Sequence, residues 1–133
     1  MTPLWARPTM WLHLIVHEGA TVIVATPVTE AGLSAAAWGK AHWIGVADVE
    51  DGQVRAWQIH EVGWDVSHDE STHGSHHARI VKFLTEQGIQ AVVVDHMGEG
   101  MQRVLRAMDI PMLSASAGDA QASVVAAVSA AQA

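Results

Sequence analysis

SHHARIVKFLTEQGIQAVVVDHMGEGMQRVLRAMDIPMLSAS, residues 75–116, switches its hydrophobic period from helix to strand and then repeats the switch. Ile80, Val81, Phe83 and Leu84 stand at helical spacing and predict a helix over 75–87. Gly88 is its stop, because glycine accepts the left-handed backbone that closes a helix. Residues 91–95 are an apolar run of the length of a strand buried on both faces. His96-Met97-Gly98-Glu99-Gly100 is a glycine loop, 101–108 a second helix with Val104, Leu105 and Met108 on one side, and 111–116 a further strand. Strand, crossover helix and strand in that order predict a right-handed parallel unit, so the fold class is α/β.

Downstream, Gly118-Asp119 opens a small-residue helix over 119–130, with Asp119 as its cap. Upstream, TVIVATPV at 21–28 is a β-branched run ended by its proline and reads as another buried strand. The connection EAGLSAAAWGKA at 30–41 leaves room for a short helical turn. Residues 42–49 and 54–62 are extended runs joined by Glu50-Asp51-Gly52-Gln53, where Asp-Gly predicts a hairpin and hence antiparallel pairing. The histidine-rich stretch 63–75 reads as a loop. The order is therefore β-β-β-α-β-α-β-α, with 21–133 as one domain and 1–20 as an N-terminal extension. Within that extension 10–16 is apolar, but His13, His17 and Glu18 interrupt it. It has neither the length of a membrane span nor the layout of a signal peptide, so a cytoplasmic location is expected.

Composition narrows the chemistry. The 133 residues are half apolar, enough for one core and too few for a second domain. Seven basic against fourteen acidic residues give a net charge of -7, which argues against nucleic acid or an anionic membrane as partner. There is no cysteine, so a bound metal must be held by nitrogen, oxygen or methionine sulfur. Five of the nine histidines and four acidic side chains crowd into HEVGWDVSHDESTHGSHH at 60–77, and imidazole both ligates transition metals and titrates near neutral pH. The plainer reading of that stretch is a solvated polar loop running into a helix.

The pieces TVIVATPV, AWGKAHWIGVADVEDGQV and HGSHHARIVKFLTEQGIQAVVVDHMGEGMQRVLRAMDIPM together resemble the NifX/NifB-type, dinitrogenase iron-molybdenum cofactor-binding family. The resemblance implies a ribonuclease H-like three-layer fold, a mixed five-stranded sheet of order 3-2-1-4-5 with helices on both faces. It also implies binding of molybdenum- and iron-containing sulfur clusters or their precursors. Where the family often carries His-Phe-Gly-Arg-Ala, this chain has Ala37-Trp38-Gly39-Lys40-Ala41, and the cysteines of some relatives are absent. The ligand role then passes to the local histidines.

In a 3-2-1-4-5 sheet the end of the third strand, the start of the second and the end of the fourth share one edge. His42, His60, His68, His73, His76, His77 and His96 all belong there, beside the switch point where open α/β sheets bind ligands and beside the N-termini of the three major helices. The expected metal ligands are His68, His73, His76, His77 and His96. His73 stands at helical spacing from His76 and His77, and one of that adjacent pair faces the crevice with His96 while the other faces solvent or the loop. Gly98, Gly100, Trp38 and Gly39 are the expected cofactor contacts. Trp38 and Trp64 wall the site from loops, Trp43 and Trp57 fill the core, and Met97 and Met101 pack in preference to ligating. The expected function is a carrier or sensor of a metal ion or anionic metal-sulfur cluster, exchanging it with a donor or acceptor protein, as monomer or homodimer. The alternatives are a metal-dependent hydrolase using the same histidines together with Asp65, Asp69, Glu70, Asp95 and Glu99, and a metal-free interaction module. Strand carboxylates of the kind nucleases of that fold use are missing from TVIVATPV.

Overall fold

The computed structural model describes residues 21–70 and 73–132. Five strands, β1 (Val22–Val28), β2 (Trp43–Glu50), β3 (Gln53–Glu61), β4 (Ala91–Val94) and β5 (Met112–Ser114), form one sheet of order β3-β2-β1-β4-β5. The helices are α1 (Trp64–Glu70), α2 (His73–Gln87), α3 (Glu99–Ala107) and α4 (Ala120–Gln132). β1–β2 and β2–β3 are antiparallel, and β1–β4 and β4–β5 are parallel. This is the sheet order that the family resemblance implied. At the hairpin Asp51 and Gly52 both have positive φ, 52° and 73°, as a two-residue turn matched to the strand twist requires.

Alternation along the strands sends side chains to two cores. Ala25, Ile44, Val46, Val92 and Val94 meet Ile80 and Leu84 of α2 and Met101 and Leu105 of α3 on one face. Val22, Val24, Ala47, Val49, Ala91 and Val93 meet Val124, Ala127 and Val128 of α4 on the other. Each fully buried leucine or isoleucine here contributes about 1.5–3 kcal/mol through its removal from water. The long side chains stand on the α2–α3 face, while alanines and valines let α4 lie close to the sheet. On that second face Gly45 makes room for Trp57, whose ring carbon would sit 2.3 Å from a Cβ added there.

Local chemistry sets the helix ends. The Oδ2 of Asp119 accepts the Ala122 N–H at 2.9 Å, the predicted cap. At the end of α2, Gly88 at φ 65° closes the helix with Gly88 N–H to Thr85 O (3.2 Å) and Ile89 N–H to Leu84 O (3.0 Å). The end of α3 repeats this closure, with Asp109 at φ 57° in the glycine's place and bonds from Asp109 to Arg106 O and from Ile110 to Leu105 O.

Two expectations are corrected. The 30–41 connection has no helical turn. A tight turn at 29–33 returns Ser34 to pair with Val28, and Ala37 then bridges to His96. Those backbone pairings satisfy groups that a helix would otherwise have to satisfy. The supposed loop after β3 contains α1, because Trp64 and Asp65 both find tertiary partners, described below.

Candidate functional site

Three segments far apart in sequence meet at the edge where β1 and β4 end and the sheet reverses its order. The bridge between Ala37 and His96, with Trp38 N–H to His96 O at 3.2 Å and His96 N–H to Ala36 O at 3.0 Å, ties the connection after β1 to the loop after β4. The first turns of α2 lie across them. The space between is a cavity of about 430 Å³ lined by 37–40, by His76, His77 and Ile80, and by 96–101.

Each imidazole is held differently. His76 is buried, and its Nε2–H donates to Gly39 O at 2.8 Å, so in the neutral ring the lone pair is on Nδ1. The bond fixes the Gly39 wall to α2. His77 is half-buried and lies over Gly100, where an added Cβ would come within 3.2 Å of its Cε1. The side chain of His96 is exposed at the mouth while its backbone is pinned. Both His76 and His77 therefore line the cavity. The expectation that one of them turns away fails because the helix end spans the cleft, so residues about 100° apart reach its two opposite walls.

The other expected residues separate from these. His68 lies within α1 and His73 opens α2, and the side chains of both lie outside the described residues, as do those of Asp69 and Glu70. His60 packs edge-on to Phe83 at 5.4 Å, and its Nε2 is buried with no hydrogen-bond partner among the described residues. His42 sits between two carboxylates, Nε2 2.7 Å from Glu61 Oε2 and Nδ1 2.8 Å from Asp65 Oδ1. Its pKa is raised by the hydrogen bond with Glu61 and then by that with Asp65, and the Asp65 pKa is lowered mainly by the bond from His42. Among the described residues no group of three or more histidine and carboxylate side chains is close enough to hold a metal ion.

Trp38 is fully buried and meets Trp64 edge-on at 5.2 Å, and Trp64 meets Phe83 at 5.6 Å. These two indoles, expected as loop walls, are core residues whose edge reaches the cleft through Trp38. Trp43 and Trp57, expected in the core, are only partly buried. Met97 and Met101 are buried in the α2–α3 core while also lining the cavity. Gly98 caps α3 in ordinary extended backbone (φ -62°, ψ 149°) with no side-chain cap, so the first-turn N–H groups of α3 are left for solvent or a ligand. A Cβ at Gly98 would meet nothing within 4 Å. Lys40 was missed as a lining residue, although it stands where the family pattern carries arginine. The N-terminus of α4 shares the sheet edge, but lies on the other face, with Ala120 N–H bonded to Gly32 O.

The residues present suit an extended anion better than a single ion. Imidazoles, an ammonium group, helix-end N–H groups and the buried Nε1–H of Trp38, which has no partner among the described residues, are spread over the walls and do not converge on a point.

Among curated proteins none matches the sequence. Solved structures share the fold at low identity. The protein solved as PH0822 is 16% identical, with 82% of this chain and 90% of that chain covered at a TM-score of 0.65. A candidate NifB protein from Thermotoga is 18% identical, with coverage of 84% and 90% and a TM-score of 0.62. A candidate dinitrogenase from Methanocaldococcus jannaschii is 12% identical, with coverage of 84% and 91% and a TM-score of 0.59. No helix among the described residues is long and apolar enough to cross a membrane. Residues 20–131 match the family described as dinitrogenase iron-molybdenum cofactor, and the chain belongs to that family.

Proposed function

We propose that the cleft binds an anionic metal-sulfur cluster of the molybdenum-iron type as cargo, and that the protein carries it between a donor and an acceptor protein. The observation that supports this most is the meeting of His77, His96 and Lys40 with the N-terminal turn of α3 around one cavity of about 430 Å³. Imidazole nitrogen from His77 and His96 would ligate the exposed metal of such a cluster. Lys40 and the α3 N–H groups would offset its negative charge, Gly98 would leave it room, and Gly100 would leave room for the His77 ring. His76 would act on the wall through Gly39 and not as a ligand. His68 and His73, whose side chains lie outside the described residues, remain candidate ligands.

Binding without catalysis is favoured, because the family is described by a cofactor and not by a reaction. Among the described residues the carboxylates a hydrolase would need form no cluster with histidines able to hold a metal ion. Glu99 lines the cleft but is paired with Arg103 at 3.3 Å, Asp65 is engaged by His42, and Asp95 lines a separate pocket with Ser34 and Ser116. The descriptions of two structural neighbours as a candidate NifB protein and a candidate dinitrogenase point the same way.

The test is elemental analysis and absorption spectroscopy of protein incubated anaerobically with isolated iron-molybdenum cofactor and passed through a desalting column. Wild type should retain iron and molybdenum with visible charge-transfer bands. The double variant His77→Ala, His96→Ala should retain at least about tenfold less while its circular dichroism is unchanged. Equal retention by the folded double variant would remove the cargo from this cleft.

A further inference from the structure

His42 lies between the carboxylates of Glu61 and Asp65. Its two ring nitrogens lie 2.7 and 2.8 Å from oxygens of Glu61 and Asp65. An ionised carboxylate only accepts, so both nitrogens must donate and the ring is an imidazolium. A neutral ring has one N–H and would turn a lone pair toward one of the carboxylates.

The three residues belong to different elements. His42 immediately precedes β2, Glu61 ends β3, and Asp65 lies in the first turn of α1. Glu61 is already held by backbone pairing with Trp43, so among these side-chain ties the one to Asp65 is what fastens α1. Backbone bonds from Val62 and Gly63 to His42 O, and from Trp64 to Ala41 O, hold the chain only as far as the helix start. Gly63, at φ 61°, lies at that point. A seven-residue helix is far below the length that stands alone in water, so α1 persists by its attachments. Its first residue, Trp64, is the one packed on Trp38 at the cleft.

We propose that His42, in its doubly protonated form, is a clamp that seats α1 and thereby positions the Trp64–Trp38 wall of the cleft. It is a positioning residue that touches no cargo, and the proposal stands whether or not the cleft holds a cluster. Among the described residues the charged groups facing it are Glu61 from β3 and Asp65 from α1, with the Trp43 ring edge-on at 5.1 Å. The raised His42 pKa makes its contribution complete below the unfolded imidazole value of about 6.5 and lost as pH rises through the folded value. The lowered Asp65 pKa makes its contribution present above the unfolded carboxyl value and lost as pH falls through the folded value. The clamp is therefore closed below the unfolded imidazole value and opens as pH rises through the higher folded value.

The test is amide hydrogen exchange across α1 in the full metal-free chain from about pH 6 to about pH 9, divided by intrinsic rates at each pH. Wild-type protection should fall about threefold with rising pH, the scale of a partly exposed charged contact. His42→Gln should give low protection that does not vary with pH. Glu61→Gln should give high protection that does not vary, because a side-chain amide can donate to the ring's lone pair and leave the single N–H for Asp65. Protection that is flat with pH in wild type, or retained in His42→Gln, would overturn the proposal.

Discussion

Gly100 leaves the space that the His77 ring occupies, and a Cβ there would press on Cε1 at 3.2 Å. Because the position lies in the first turn of α3, alanine is also the better helix former, by up to about 1 kcal/mol. Gly100→Ala should therefore hold or raise stability in a denaturant titration while lowering cluster retention several-fold. A variant that loses stability and retention together would show that the glycine serves the turn and not the ring. At this scale the sequence was partly readable. That His76, His77, His96 and the glycine loop meet at one sheet edge was legible because each sits beside a turn signal at a strand or helix end. The fate of His42 was not readable, since it depends on the register that sets Glu61 opposite Trp43 and on a helix that polar residues concealed. Lys40 was passed over because a lone lysine in an alanine-rich connection looks like a solvated one.

Asp109 holds a left-handed backbone at the end of α3 in the same bonded closure that Gly88 makes at the end of α2. A side chain at that φ costs up to about 1–2 kcal/mol, less for aspartate than for most residues. Asp109→Gly should then stabilise the protein by about 0.5–1 kcal/mol, after the larger entropy of glycine in the unfolded chain is set against the relief. Chemical denaturation would measure it, and a loss of stability would mean that the aspartate makes a compensating contact. The elements that local rules govern were the legible ones: the Asp51-Gly52 hairpin, the Gly88 stop and the Asp119 cap each act within a few residues. By contrast α1 owes its existence to Trp64 against Trp38 and Phe83 and to Asp65 against His42, and no local pattern in a polar, histidine-rich run reports those contacts. Likewise the turn at 29–33 and the Ala37–His96 bridge replaced an expected helical turn with long-range pairing.

For the whole molecule, the strand order came from family resemblance, since short apolar runs do not say which neighbour they pair with. That order matters because it joins the ends of β1 and β4, Val28 and Val94, which are 66 residues apart in the chain. The cleft consequently draws its walls from 37–40, 76–80 and 96–101, segments that meet only when the sheet is complete. An unfolded chain offers a cargo isolated imidazoles without the lysine, the helix-end amides or the enclosing shape. A cargo held in the cleft would therefore bind the folded state in preference, and its concentration would enter the folding equilibrium by mass action. Each tenfold rise in free cargo above its dissociation constant should add about 1.4 kcal/mol and raise the melting temperature by about 4 °C. Differential scanning calorimetry would record it, and the slope should vanish in the His77→Ala, His96→Ala variant. A site assembled from distant segments thus makes loading readable as heat resistance, and the empty carrier should be the form that unfolds and is degraded first.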